Sequence, residues 1–242
     1  MLVRDRAICL RGVNYSETSQ VVTLLCREYG KLTVMAKGSR RAKNKFDGPI
    51  ELFALGEVSL SPGVGEAMGT LTEFNQQPVF RGLRANLEAL NAAMLAAELT
   101  DKLTEMHDPH AELFDTMERF LTDVQEAEGM GSVLLYLIVY QLTLLAAAGI
   151  RPVFDRCVNC SNTLSERWRT IYFSGQNNGL VCPDCESAFV EKKRISANAA
   201  TALADLKKLR NLNERQIREV ENLLIYHFTE LLGRPPKCAL NL

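Results

Sequence analysis

Apolar and polar positions alternate over the first 79 residues with the two-residue period of half-buried β-strands. Three runs, "RAICLRGVN", "QVVTLLCR" and "KLTVMAKG", come first, and a turn at residues 28–30 joins the last two into a predicted hairpin. A fourth strand is predicted at residues 50–60, and the glycine-rich "SPGVGE" leads into a fifth at residues 67–74. Five short strands favour a small closed barrel of the oligonucleotide-binding (OB) type, although strand number alone does not separate it from an SH3-like barrel.

The pattern changes to a helical period after Pro78, with leucines and methionines three and four residues apart. This spacing predicts one helix from about Leu87 and a second after residues 108–109. Residues 133–148 are apolar nearly all round and predict a central buried helix. Capping residues predict two more helices, one from Ser196 to about Leu209 and one from Asn213 to Gly233.

Composition supports an ordinary globular protein. The 242 residues are 47% hydrophobic and 24% charged, which excludes a disordered or fibrous chain. Residues 133–150 are barely long enough to span a bilayer and contain Gln141 and Thr143, so a buried helix is the favoured interpretation. No secretory pattern occurs near residue 1, and we therefore expect a cytoplasmic protein with reduced cysteines.

Four of the seven cysteines form two pairs with identical spacing, "CVNC" and "CPDC", separated by 21 residues. Two thiolates three residues apart can bind one metal, and two such pairs complete the tetrahedral four-sulfur shell of structural zinc. Four reduced core cysteines or two disulfides are the alternatives. Cys9 and Cys26 are instead predicted to be small core residues. The predicted zinc ligands are Cys157, Cys160, Cys182 and Cys185.

These patterns predict an α+β, multi-domain fold. We expect an N-terminal five-stranded OB-fold β-barrel at residues 1–79 and an α-helical domain at residues 80–242. The four-cysteine zinc module is embedded in the helical domain at about residues 153–188.

Motifs for catalysis are lacking in the sequence. It contains neither a dinucleotide-binding GxGxxG after a strand nor a GxxxxGK[ST] phosphate loop. His107 and His110 flank a predicted loop between helices, which more commonly indicates exposure to solvent than metal binding. The sequence therefore does not indicate an enzyme.

Charge is distributed unevenly. Residues 80–150 hold four Lys or Arg against eleven Asp or Glu, whereas residues 31–46 hold six basic side chains and no acid. A basic loop on a small barrel can bind nucleic acid, because cations contact phosphates while aromatic rings stack on bases. Solvated basic loops are common too, so composition alone leaves both interpretations open. The candidate cations are Lys31, Lys37, Arg40, Arg41, Lys43 and Lys45, and the nearby aromatics are Tyr15, Tyr29, Phe46 and Phe53.

The stretch "GVNYSETSQVVTLLCREYGKLTVMAKGSRR", residues 12–41, resembles the N-terminal signature of the RecO family of bacterial DNA repair and recombination mediators. The likeness continues through the helices and both cysteine pairs, so it covers essentially the whole chain. Asn44 departs from the family, which often has a serine there.

The resemblance implies a protein that binds single- and double-stranded DNA and anneals complementary strands without ATP. It implies three protein partners: RecR, the acidic C-terminal tail of single-stranded-DNA-binding protein, and indirectly RecA, which is loaded onto DNA. Candidate cations for the acidic tail are Lys192, Lys193 and Arg194, or Arg215 and Arg218. One alternative is a zinc-ribbon protein acting on RNA or in transcription. The other is an adaptor that binds proteins through its acidic helices and no nucleic acid.

Overall fold

The computed structural model describes residues 2–43, 45–63 and 68–241. The chain forms two compact units: unit 1 comprises Met1–Leu87 and Ala97–Glu126, and unit 2 comprises Glu88–Ala96 and Ala127–Leu242. Residues 97–126 thus belong to the same unit as the barrel. The domain boundary between residues 79 and 80 stays a prediction. Asn44 and part of the "SPGVGE" turn lie outside the described residues.

Five strands close into a barrel in unit 1, in the order β1-β2-β3-β5-β4, and β4 pairs back onto β1. All neighbours are antiparallel except β3 and β5, which pair in parallel. A register shift between Cys9 and Arg11 bends the long first strand around the barrel. This closed order confirms the predicted OB fold. The strands are β1 (Val3–Asn14), β2 (Gln20–Cys26), β3 (Gly30–Ala36), β4 (Leu55–Ser61) and β5 (Gly69–Gln77).

The barrel core is formed by inward-facing residues of all five strands, together with Phe46 and Ile50 from the β3–β4 connection. Cys9 and Cys26 lie fully buried in this core, as predicted. Burial raises the pKa of the Cys9 thiol to about 12, and burial also raises the pKa of Cys26. Both cysteines are therefore unreactive packing residues.

Two helices continue the chain after the barrel: α1 (Leu87–Leu103) and α2 (Ala111–Gln125). In unit 1, acidic residues of α2 pair with basic residues of the barrel. Arg27 donates two hydrogen bonds of 2.9 Å to the carboxylate of Asp115, and Arg6 lies 2.6 Å from Glu118. Part of the acidic charge of residues 80–150 is therefore neutralised by ion pairs within unit 1.

Unit 2 contains three further helices: α3 (Gly129–Ala147), α4 (Ala197–Ala204) and α5 (Glu214–Leu232). Among the described residues, α3 alone is long and apolar enough to cross a membrane, yet half of its most apolar window is buried inside the protein. It packs against α5, which agrees with the predicted buried helix. Tyr136 and Val139 on its other side are exposed, so α3 is less enclosed than its sequence predicts.

The predicted caps of the last two helices are confirmed. Ser196 caps α4, while Asn213 forms a capping box at the start of α5, and Gly233 ends α5 in the left-handed conformation. The structure corrects the length of α4. Asp205 adopts an extended backbone and its side chain caps a separate 3-10 helix, Leu206–Asn211, so α4 ends before it.

A small four-stranded sheet in unit 2 carries the cysteine pairs, with the strand order β6-β8-β7-β9. Its centre is apolar: Phe173 stacks on Phe154 at 5.8 Å and meets the ring of His227 in α5 edge-on at 5.5 Å. The sheet is therefore held by packing against a helix as well as by its own hydrogen bonds. The strands are β6 (Val153–Cys157), β7 (Ile171–Ser174), β8 (Gly179–Val181) and β9 (Lys193–Ile195).

Candidate nucleic-acid interface and metal centre

Residues 37–45, here called the basic segment, form the first part of the connection between β3 and β4. Five of the six predicted cations, those after Lys31, are exposed there. The segment opens with a tight turn in which the N–H of Arg41 donates to the carbonyl of Gly38 at 3.0 Å. Gly38 has a φ of +77°, which favours glycine at this position. The exposed cations are Lys37, Arg40, Arg41, Lys43 and Lys45.

Hydrogen bonds attach this basic segment to the β1–β2 turn. The backbone N–H of Arg40 donates to the carbonyl of Thr18 at 3.1 Å, and that of Gly38 donates to the hydroxyl of Ser19 at 3.3 Å. The guanidinium of Arg40 also donates to the carbonyl of Ser16 at 3.1 Å. The two connections thus form one surface at this end of the barrel.

The buried side chain of Gln20 ties the basic segment, and residue Ile50 later in the same connection, to the barrel. Its Oε1 accepts hydrogen bonds of 2.9 Å from the hydroxyl of Ser39 and from the N–H of Ile50, and its Nε2 donates to the carbonyl of Ile50 at 3.1 Å. The sequence interpretation missed this residue. Its only signal in the sequence is a polar side chain at the start of a mainly apolar strand.

Lys31 does not belong to this surface, contrary to the prediction. It lies on β3, is 6% exposed, and its ammonium group donates to the carbonyl of Asp101 and lies 3.5 Å from that residue's carboxylate. Lys45 is exposed but lies 3.5 Å from the carboxylate of Glu73. Lys37, Arg40, Arg41 and Lys43 remain as the main positive charge of the loop.

For two of the four aromatic residues, the prediction that they could stack on bases is wrong. Phe46 and Phe53 are buried and cannot stack on a base. Tyr29 is 37% exposed in the β2–β3 turn, where its N–H donates to Asp5. Tyr15 is 70% exposed in the β1–β2 turn and lines a surface cavity of about 300 Å³ with Lys37 and other residues of the basic segment.

The four cysteines of the two CxxC pairs converge in unit 2, as predicted. Their sulfur atoms all lie within 4.8 Å of one another, and the sulfurs of Cys160 and Cys182 are 3.7 Å apart. Zinc–sulfur bonds of about 2.3 Å would place the ligands of a tetrahedral site about 3.8 Å apart. The residues therefore fit a metal ion, and four sulfur donors are the set that structural zinc prefers.

Backbone donors favour the thiolate form of Cys157. The N–H of Cys182 points at the sulfur of Cys157 at 3.4 Å. Burial raises the pKa of the Cys157 thiol, but N–H groups of Cys160, Cys182 and Asn159 outweigh it and lower that pKa to about 7. Burial, with the thiol of Cys185, raises the pKa of Cys182 to about 12. A bound cation would favour ionisation of all four.

A second basic surface lies in unit 2, where β9 meets the start of α5. It is a groove of about 710 Å³ with both cationic and apolar lining. Lys192 lies outside the groove, because its ammonium group donates to the carbonyls of Glu186 and Phe189. Four of the five predicted cations line the groove: Lys193, Arg194, Arg215 and Arg218.

The two loop histidines take structural roles. The backbone N–H of His107 donates to the carbonyl of Lys31 at 2.9 Å, and the ring of His110 bonds to the carboxylate of Asp108 at 2.9 Å. These contacts agree with the interpretation of residues 107–110 as a loop between helices.

Comparisons with known proteins show the family to which this chain belongs. Residues 1–77 match the family "Recombination protein O N terminal", and residues 84–238 match "Recombination protein O C terminal". A DNA repair protein RecO of Rhodopirellula baltica is 34% identical over 200 residues, covering 83% of this chain and 73% of the relative. That of Bacillus subtilis is 30% identical over 240 residues, covering 96% of this chain and 91% of the relative. The chain therefore belongs to the RecO family of DNA repair proteins.

Proposed function

We propose that this protein is a non-enzymatic recombination mediator of the cytoplasm. It binds single- and double-stranded DNA through the basic segment of residues 37–45, anneals complementary strands without ATP, and acts with RecR to load RecA on DNA coated by single-stranded-DNA-binding protein. The observation that carries the proposal is the exposed cationic loop, anchored to an OB barrel by Gln20.

Annealing by such a surface requires electrostatics and no bond chemistry. Two complementary strands repel each other through their phosphates, and a cationic surface that neutralises part of this charge raises their rate of encounter. Lys37, Arg40, Arg41 and Lys43 supply this charge on one loop. Because the anchoring hydrogen bonds hold the loop in place, little conformational entropy is lost on binding.

The cysteine cluster is proposed to bind one structural zinc ion per chain through Cys157, Cys160, Cys182 and Cys185. Four thiolates complete the coordination of zinc, so the ion has no open position for catalysis. When bound, it would cross-link the turn that follows β8 to the turn that follows β6, in addition to the hydrogen bond between the N–H of Cys182 and the sulfur of Cys157.

The groove in unit 2 is the proposed docking surface for the acidic tail of single-stranded-DNA-binding protein. Lys193, Arg194, Arg215 and Arg218 offer positive charge against the single acidic lining residue, Glu219. The nearly buried Ile195 and Leu223 form the apolar part of the lining. An acidic peptide with apolar side chains needs this combination, since charge directs the encounter and apolar burial adds affinity.

The test of DNA binding is the salt dependence of affinity for a single-stranded oligonucleotide. Each phosphate contact contributes a slope of about −0.7 to log K against log salt, so Arg40→Ala with Arg41→Ala should flatten the slope by about 1.4 and slow annealing. The matched control is Lys207→Ala with Lys208→Ala, which removes two adjacent exposed charges from the 3-10 helix of unit 2.

An unchanged slope in the Arg40 and Arg41 variant would show that the loop is only solvated surface. Absence of binding to any oligonucleotide near 50 mM salt, the low-salt condition at which phosphate contacts are strongest, would favour the adaptor interpretation instead. Preferential annealing of RNA would favour a role in RNA metabolism, because a basic groove does not by itself distinguish the two polymers.

A further inference from the structure

An outward-facing apolar row crosses the barrel beside the basic segment. The strand register places Val13 opposite Val21, Val21 opposite Met35, and Met35 opposite Thr70. Val13 is 46% exposed, and the other three are partly exposed. Because these residues face solvent in one line across β1, β2, β3 and β5, they form a continuous strip of mainly apolar surface.

Tyr15 extends this strip at its β1 end. It follows Val13 by two residues and lines the cavity that also contains Met35, Lys37 and Arg41. With 70% of its surface exposed, its ring is available to a ligand. An aromatic ring, a thioether and two cations around one cavity form a combination that suits a nucleotide, with a planar base and a charged phosphate.

The turn that carries Tyr15 is closed by its own hydrogen bonds. The N–H groups of Tyr15 and Ser16 donate to the carbonyl of Ser19 at 3.0 and 3.2 Å, and the N–H of Ser19 donates to the hydroxyl of Ser16 at 3.2 Å. The bonds from Arg40 and Gly38 then join this turn to the basic segment. The backbone that positions the tyrosine is thus preorganised relative to the cations.

We infer that Tyr15 stacks on an unpaired base and makes this site selective for single-stranded over duplex DNA. The neighbouring phosphates contact Lys37 and Arg41, and adjacent bases lie on the strip of Val13, Val21 and Met35. A duplex keeps the faces of its bases inside the helical stack, so it can use the cations but not the ring. The inference rests on the proposed DNA binding and adds the residue that sets its strand preference.

The test is a thermodynamic cycle between the tyrosine and the bases, measured by fluorescence anisotropy with the full chain. Three probes of equal length are used: a thymine oligonucleotide, a strand of the same charge with abasic sites, and a duplex. Tyr15→Ala should weaken binding of the thymine strand about tenfold and change binding of the other two less than about twofold. Tyr15→Phe should retain the wild-type affinity, because the ring is kept.

Three controls separate this result from other causes. Tyr29→Ala removes the other exposed tyrosine of the barrel turns and should leave all three affinities unchanged. The salt slope should stay the same in Tyr15→Ala, since no charge is removed. Unfolding midpoints of the variants check that the barrel is intact.

The outcomes distinguish this inference from the proposed function. If the wild type binds DNA with a slope that depends on Arg40 and Arg41, but Tyr15→Ala binds all three probes like the wild type, the stacking role is wrong and DNA binding stands. Equal losses in Tyr15→Phe and Tyr15→Ala would assign the effect to the hydroxyl and overturn stacking. If the wild type binds none of the probes, both proposals fail.

Discussion

Burial shifts the pKa values of two ionisable side chains of α5 so that their neutral forms are favoured. Glu221 is 5% exposed and accepts a hydrogen bond of 2.9 Å from Gln141, and burial raises its pKa to about 7. His227 is fully buried, and among the described residues neither of its ring nitrogens has a hydrogen-bond partner. Burial lowers its pKa to about 4, against a small opposing effect of Glu191. The two groups therefore affect stability in opposite directions as pH changes.

For Glu221 the folded pKa lies above the unfolded value of 4.5, so its contribution to stability is present below pH 4.5 and is lost as pH rises through 7. Glu221→Gln removes this titration. Relative to the wild type, the variant should gain about 3 kcal/mol in free energy of unfolding between pH 4.5 and 7, measured by urea denaturation at each pH. A difference that does not vary with pH would show that Glu221 ionises normally.

For His227 the folded pKa lies below the unfolded value of 6.5, so its contribution is present above pH 6.5 and is lost as pH falls through 4. His227→Phe should therefore gain stability relative to the wild type by about 3 kcal/mol between pH 6.5 and 4. Comparing each variant with the wild type at the same pH cancels titrations that both share, including those of the cysteines.

At the scale of elements, the small sheet of unit 2 is stabilised by two different means. Phe173 of β7 packs on Phe154 and on the rings of Tyr226 and His227 in α5. The two CxxC turns, in contrast, meet at the four sulfur atoms, which accept hydrogen bonds from the Asn159 amide and the N–H of Cys182. We therefore expect the turns to depend on metal more than the centre of the sheet does.

Removal of the proposed zinc with a chelator should accelerate hydrogen exchange in the turns around Cys157–Cys160 and Cys182–Cys185. Exchange in β7 and α5 should change little, because apolar packing remains. Cys185→Ser should reproduce this pattern and lower the bound zinc measured by elemental analysis, whereas Cys238→Ser, outside the cluster, should not. Less than about half a zinc per wild-type chain would contradict the four-sulfur site.

At the scale of the whole molecule, a net charge of −1 conceals two cationic surfaces, one on each compact unit. The loop of residues 37–45 is proposed to bind DNA, and the groove of unit 2 to bind an acidic tail. Two of the four acidic residues of α2, Asp115 and Glu118, are paired with Arg27 and Arg6, so their charge is balanced within unit 1. Net charge is therefore a poor guide to partners here.

Separate roles for the two surfaces predict separable defects in strand annealing. Arg215→Ala with Arg218→Ala should leave annealing of naked strands unchanged but slow annealing of strands coated with single-stranded-DNA-binding protein. Arg40→Ala with Arg41→Ala should slow both reactions. Lys207→Ala with Lys208→Ala serves again as the control of equal charge. Equal slowing of both reactions by the groove variant would contradict a tail-specific role.

Local patterns in the sequence were sufficient to predict much of the secondary structure and the cysteine cluster. The two-residue alternation located the five strands, the CxxC spacing located the cysteine cluster, and Ser196 and Asn213 marked the starts of two helices. Each of these signals depends on residues close together in the chain, where backbone geometry sets the period or the cap.

Only the tertiary structure decided which side chains share a surface. Lys31 belongs to the basic stretch of the sequence that predicts DNA contacts. Its side chain is nevertheless buried against Asp101, 70 residues later in the chain. Phe46 joins the barrel core, and Gln20 gains its role from Ser39 and Ile50. The sequence by itself determined most of the elements and the four cysteines of the cluster, because these follow from local spacing. Which cations are exposed, and that Tyr15 lies beside them, followed only from long-range packing, which a one-dimensional pattern does not encode.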